Sequence, residues 1–160
     1  MATKQETKSR YDTRDEDRVW TDEERAAMQA SARERKTASK RSPAEERAEG
    51  LKDLEASIAK MPADDRAMAE RIHAIVTEAV PSLAPKTYYG MPAYARDGKD
   101  GKVICFFKPK SKFRVRYSTL GFQPDATLDD GDMWATEFAV ISITPAVERR
   151  ITELVQQGAG

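Results

Sequence analysis

Hydrophobic positions are sparse in the first fifty residues of this chain and fall into regular patterns after them. From Met1 to Val19 nearly every residue is polar. Such a segment buries too little apolar surface to offset the entropy of ordering, so mobility in isolation is expected. Trp20 then precedes Thr21-Asp22-Glu23-Glu24, in which Thr21 and Glu24 have the spacing of a capping box. The stretch to about Ser39 is rich in Ala, Arg, Glu and Lys, which favour helix. Its apolar face amounts to Ala27, Met28 and Ala32. A helix so polar is either solvated or docked by one edge. A solvated arm is the simpler expectation, and an arm that binds a partner protein is the alternative.

Ser42-Pro43-Ala44-Glu45 is a second helix start, with Pro at the first helical position. Leu51, Leu54 and Ile58 follow at i, i+3 and i+7, a stripe that predicts docking on a core; Gly50 threatens to interrupt it. Pro62 marks a boundary. Beyond it Met68, Ile72, Ile75, Val76 and Ala79 form the clearest amphipathic pattern in the chain, which Pro81 ends.

From Thr87 the period changes. Thr87-Tyr88-Tyr89-Gly90-Met91-Pro92-Ala93-Tyr94 reads as a bulged or edge strand, because Pro cannot donate to a central ladder. Asp97 to Gly101 has the composition of a turn. Val103 to Phe107 is a continuous apolar run, expected as a central strand. Phe113, Val115 and Tyr117 alternate with Arg114 and Arg116, the period-2 signal of a half-exposed strand. Pro124 to Asp132 is a loop, and Glu137 to about Ile143 a last strand. Thr144-Pro145 opens a final helix with Val147, Ile151, Leu154 and Val155 on one face. Short links between strands favour antiparallel pairing. The predicted architecture is α+β and two-layered, with an antiparallel sheet of about four to five strands packed against helices, behind an N-terminal charged helical extension. Residues 1–50 are read as the arm and 51–157 as the domain.

Composition sharpens this picture. The 27 basic and 27 acidic residues balance, which argues against a general nucleic-acid binder. Cys105 is the single cysteine, so no intramolecular disulfide forms. The start is polar without an apolar signal core, and no run approaches the ~20 apolar residues of a membrane span. A cytoplasmic protein that does not enter membranes is expected. One His and one Cys exclude a four-ligand Cys/His zinc cluster. No phosphate-binding loop or dinucleotide-binding glycine turn is present. Cys105 lies among apolar neighbours, where a thiol has a raised pKa and is inert, so pairing with His73 for nucleophilic catalysis is disfavoured. No nucleophile elbow is present. A non-enzymatic binding or carrier protein is expected.

Three constellations remain as candidate sites. Asp125, Asp129, Asp130 and Asp132 are carboxylates suited to hard cations, although their spacing is not that of an EF-hand and a solvated loop is the simpler reading. Lys108, Lys110, Lys112, Arg114 and Arg116, interleaved with aromatics, have the makings of an anion or single-strand surface. Tyr88, Tyr89, Gly90, Met91, Pro92 and Tyr94 combine apolar rings, hydroxyls and tight Gly/Pro geometry, a composition able to line a small ligand pocket.

The Tyr-Gly-Met-Pro-Ala-Tyr run at 89–94, with the Gly turn and the strand around Cys105-Phe106-Phe107 after it, resembles the YdhG-like family of unknown function. The resemblance covers roughly Leu51 to Gln157. It implies a two-layer α+β domain. Some members are described as frataxin-like iron chaperones, which bind iron weakly through surface carboxylates and pass it to a recipient protein. Carried over, that role would use Asp125, Asp129, Asp130 and Asp132, or Asp64, Asp65 and Glu70 on the central helix.

Overall fold

The computed structural model describes residues 20–38, 42–97 and 101–160. The N-terminal segment expected to be mobile lies outside these, as does most of the turn expected between Asp97 and Gly101. Both capping boxes form. The Thr21 amide donates to the Glu24 carboxylate at 3.0 Å and the Glu24 amide to the Thr21 hydroxyl at 3.1 Å, opening α1 (Asp22–Ala38). Ser42 and Glu45 cap α2 (Pro43–Ala59) in the same reciprocal way, with Pro43 at the first turn. Residue 51, where the sequence suggests that the domain begins, therefore lies in the middle of a helix. Then come α3 (Ala63–Ala79), β1 (Ala84–Tyr88), β2 (Met91–Ala95), β3 (Val103–Lys108), the short α4 (Lys110–Phe113), β4 (Ser118–Phe122), β5 (Glu137–Val140) and α5 (Pro145–Ala159). The sheet is an antiparallel meander, β1-β2-β3-β4-β5. The α+β expectation holds.

The main core joins the helical stripes to one sheet face. Leu54 and Ile58 of α2, Ile72, Ile75 and Val76 of α3, and Ile151, Leu154 and Val155 of α5 pack with Tyr94, Cys105, Phe107, Leu120 and Phe122. Each such side chain contributes on the order of 1.5–3 kcal/mol by leaving water. Strand alternation sends Phe106 the other way, into a smaller cluster with Met91 and Ala93, onto which Tyr88, Tyr89, Val103 and Phe113 pack.

Two strand expectations are corrected. The segment from Thr87 to Tyr94 is not one bulged strand but a hairpin: Tyr88 pairs with Met91, and Tyr89-Gly90 forms the turn. Pro92 fits inside it because Thr87–Pro92 is the pair after the turn-closing one, so its missing N–H would point away from β1. On that side the β2–β3 register begins only at Ala93. The alternation from Phe113 to Tyr117 is not a strand either. Lys110–Phe113 is helical, Arg114 adopts a left-handed conformation at φ 53°, and the strand begins at Ser118. Local polar contacts outcompete the weak period: the Lys110 amide donates to Ser118 Oγ at 3.0 Å and the Ser111 amide to Asp65 at 3.1 Å.

Gly50 does not interrupt α2. It lets the helix lie directly on β1, because a Cβ there would collide with the Pro85 carbonyl oxygen. Arg47, one turn earlier, anchors the same helix. Its guanidinium meets both Asp97 carboxylate oxygens at 2.8 Å and the Pro81 carbonyl at 2.8 Å.

Candidate functional site

The β1–β2 turn places two successive residues at positive φ. A two-residue hairpin loop of type I′ has φ > 0 at both central positions, which matches the strand twist, and Asn-Gly or Asp-Gly is the usual solution. Here Tyr89 has φ 50° and Gly90 φ 77°. A tyrosine in that region costs about 1–2 kcal/mol. Contacts from two other elements hold it. Glu34 of α1 accepts the Tyr89 N–H on one carboxylate oxygen at 3.0 Å and the Gly90 N–H on the other at 2.9 Å. Lys112 of α4 donates its ammonium to the Tyr89 carbonyl at 3.1 Å. A side chain at Gly90 would be strained by the φ of 77°, and its Cβ would press on Lys112 Nζ at 2.7 Å, which would have to move.

These contacts form one wall of a cleft of ≈ 700 Å³. Its other walls are α2 at Gly50 and Ser57, the α2–α3 junction at Met61 and Pro62, and β1 at Lys86 and Thr87. Lys60, Lys86 and Lys112 contribute positive charge; Glu46 and Asp53 contribute negative charge. Asp65 sits at the base, 2% exposed, where its carboxylate receives the Ser111 amide and ties α4 to α3. That tie fixes the direction from which Lys112 approaches the turn. Burial lowers the Lys112 pKa below that of an ordinary lysine, and the Glu34 carboxylate opposes the shift. Burial raises the Tyr88 hydroxyl, with Tyr89 and Glu34 adding to it.

The helix predicted as a solvated arm forms the cleft's roof. The face of α1 turned inward is Ala27 and Ser31, at 6% and 7% exposure, with Glu34 one turn on. Glu23 at the other end pairs with Arg114 at 2.7 Å. Of the predicted apolar face only Ala27 is buried; Met28 and Ala32 are exposed.

The six residues expected to line one pocket are divided by strand alternation. Tyr88, Tyr89 and Met91 belong to the smaller cluster. Tyr94 enters the main core, where its hydroxyl meets His73 Nδ1 at 2.9 Å, and Pro92 is fully buried. Only Gly90 of the six lines the cleft. Burial lowers the His73 pKa, against a smaller opposing effect of Glu55. Burial, with Cys105 adding, raises Tyr94 far above an ordinary tyrosine. Complete burial pushes the Cys105 thiol up to about 12.

The expected carboxylate site is not assembled. Asp129, Asp130 and Asp132 are exposed along their loop, and Asp125 pairs with Lys102 at 3.7 Å. Asp64 and Glu70 are exposed while Asp65 is buried beneath α4. Among the described residues no three Asp, Glu, His or Cys side chains gather where a metal ion would be held. The basic set also has separate partners. Lys108 lies 4.8 Å from the Phe113 ring centre, Arg114 meets Glu23, and Arg116 lies 5.2 Å from the Tyr117 ring centre.

Comparison with protein-family models, with curated proteins and with solved structures finds no match to this chain.

Proposed function

We propose that this chain is a non-enzymatic binding protein for a small polar molecule, held in the cleft between α1, α2 and the β1–β2 turn. One observation carries the reading: a cleft of ≈ 700 Å³, within the range of small-molecule sites, lined by charges of both signs. The single His and single Cys of the chain lie outside it, which favours binding over nucleophilic chemistry. The cleft is also a better candidate than weak iron binding at Asp125, Asp129, Asp130 and Asp132, whose side chains do not converge. Kinship with the YdhG-like family rests on the Tyr89–Tyr94 run and its surroundings in sequence, and adds nothing to this reading.

The test is a titration of the ¹⁵N-labelled full chain with small acids, bases and neutral amides, and separately with anaerobic ferrous iron. Saturable shifts confined to the amides of Gly50, Ser57, Lys86, Thr87 and Gly90 are expected with at least one class of organic probe. Shifts that avoid these positions, with saturable iron broadening at Asp125–Asp132 instead, would overturn the proposal in favour of a metal carrier.

A further inference from the structure

The amides of Tyr89 and Gly90 have no partner within the hairpin, because a two-residue turn leaves its central N–H groups pointing outward. They are consecutive, both residues have positive φ, and a lysine ammonium stands beside them. Successive N–H groups in a turn form a concavity that accepts anions. Glu34 demonstrates the fit: a planar two-oxygen acceptor, each oxygen taking one amide at 3.0 and 2.9 Å. Glu34 belongs to a helix whose buried side chains, Ala27 and Ser31, are small. Among the described residues Ala27 is the one buried apolar side chain of α1, and the ion pair Glu23–Arg114 at its far end is exposed on the arginine side. The carboxylate recognised at the turn is thus delivered by a helix that buries little apolar surface.

From this we infer that the Tyr89–Gly90 amides and Lys112 form a carboxylate-binding site for a small organic acid, occupied in the free protein by Glu34 as an intramolecular stand-in. An acid entering the cleft takes the two amides, displaces Glu34 and loosens α1. The inference rests on the cleft-binding reading and names its ligand class. A carboxylate fits better than a tetrahedral anion because the two donors form a parallel fork matched to two coplanar oxygens. The rest of the lining, with Lys60 and Lys86, Glu46 and Asp53, and Met61 and Pro62, accommodates a body carrying a second polar group.

The experiment is an amide-shift titration of the full chain and of Glu34→Ala with benzoate, and with benzamide as the uncharged control. In Glu34→Ala, benzoate is expected to shift Tyr89 and Gly90 with an affinity at least about tenfold above that for the wild type, since the internal competitor is gone. Adding Lys112→Gln to that variant should abolish the gain. In the wild type, high benzoate should move the Ala27 and Ser31 amides together with Tyr89 and Gly90, a readout that needs no variant to fold. Benzoate that leaves Tyr89 and Gly90 unmoved in both proteins overturns the inference. If benzamide or a small base then still shifts Gly50, Ser57 and Lys86, the cleft-binding reading stands alone; if no acid, base or amide acts, both fall.

Discussion

Gly50 offers a test in which two opposing magnitudes decide the sign. In an exposed helix, replacing Gly by Ala stabilises by about 1 kcal/mol, because Gly loses more backbone freedom on folding. At Gly50 the added methyl would meet the Pro85 carbonyl oxygen well inside van der Waals contact, with Pro85 carbonyl carbon at 3.4 Å behind it. The obstacle is backbone of β1 and cannot rotate away as a side-chain tip would. Forcing a methyl into such a contact costs typically about 1–3 kcal/mol and here sits at the tight end, since α2 as a whole must lift. The expected net effect of Gly50→Ala is a loss of about 1–2 kcal/mol, or roughly 2–8 °C in melting temperature for a chain of this size. Urea and thermal unfolding followed by circular dichroism would measure it. A Gly50→Ala protein as stable as the wild type, or more stable, would show that α2 does not lie on β1 as described. The same lift would distort the cleft, so probe binding should weaken in parallel.

Further outcomes follow from other contacts. Arg47→Ala should lose about 1–2 kcal/mol in urea unfolding, and Arg47→Lys should recover less than half of it, because an ammonium cannot span the Asp97 carboxylate and the Pro81 carbonyl together. His73 has a folded-state pKa below its ordinary 6.5, so the unfolded chain takes up its proton first. Its contribution is fully present above pH 6.5 and is lost as pH falls from there toward the folded value. The urea midpoint should therefore drop between pH 7.5 and 5.5, and the drop should shrink in His73→Gln. A thiol pushed up to about 12 carries a thiolate fraction of roughly one in ten thousand at pH 8. Cys105 should thus resist a disulfide reagent in the native chain and react at once in urea; rapid native reaction would contradict its burial.

The helices were legible because their signals are local. The Ser42–Glu45 box, Pro62, Pro81 and the spacing of Ile72, Ile75 and Val76 each depend on neighbours within a turn or two, and each appears where expected. Ile151, Leu154 and Val155 behave likewise in α5. The β1–β2 hairpin was hidden because its turn is Tyr-Gly instead of Asn-Gly, and the strain at Tyr89 is compensated by residues 55 positions upstream and 23 downstream. The candidate site was hidden for the same reason. Glu34 looks like any charge on a polar helix, and small residues such as Ala27 and Ser31 carry too little hydrophobicity to mark a docked face. Gly50 was visible in the sequence but read as a threatened break in α2, because a glycine at a close approach of helix to strand looks locally like a helix breaker.

Closure of the cleft by α1 is tested most directly by amide hydrogen exchange at Tyr89 and Gly90 in the full chain and in Glu34→Ala. Hydrogen bonds to a carboxylate are worth about 1.5–3 kcal/mol, so removing Glu34 should accelerate exchange at both amides by roughly tenfold or more while the β3 amides stay protected. Equal exchange in the two proteins would mean that Glu34 does not hold the turn, and that α1 does not close the cleft.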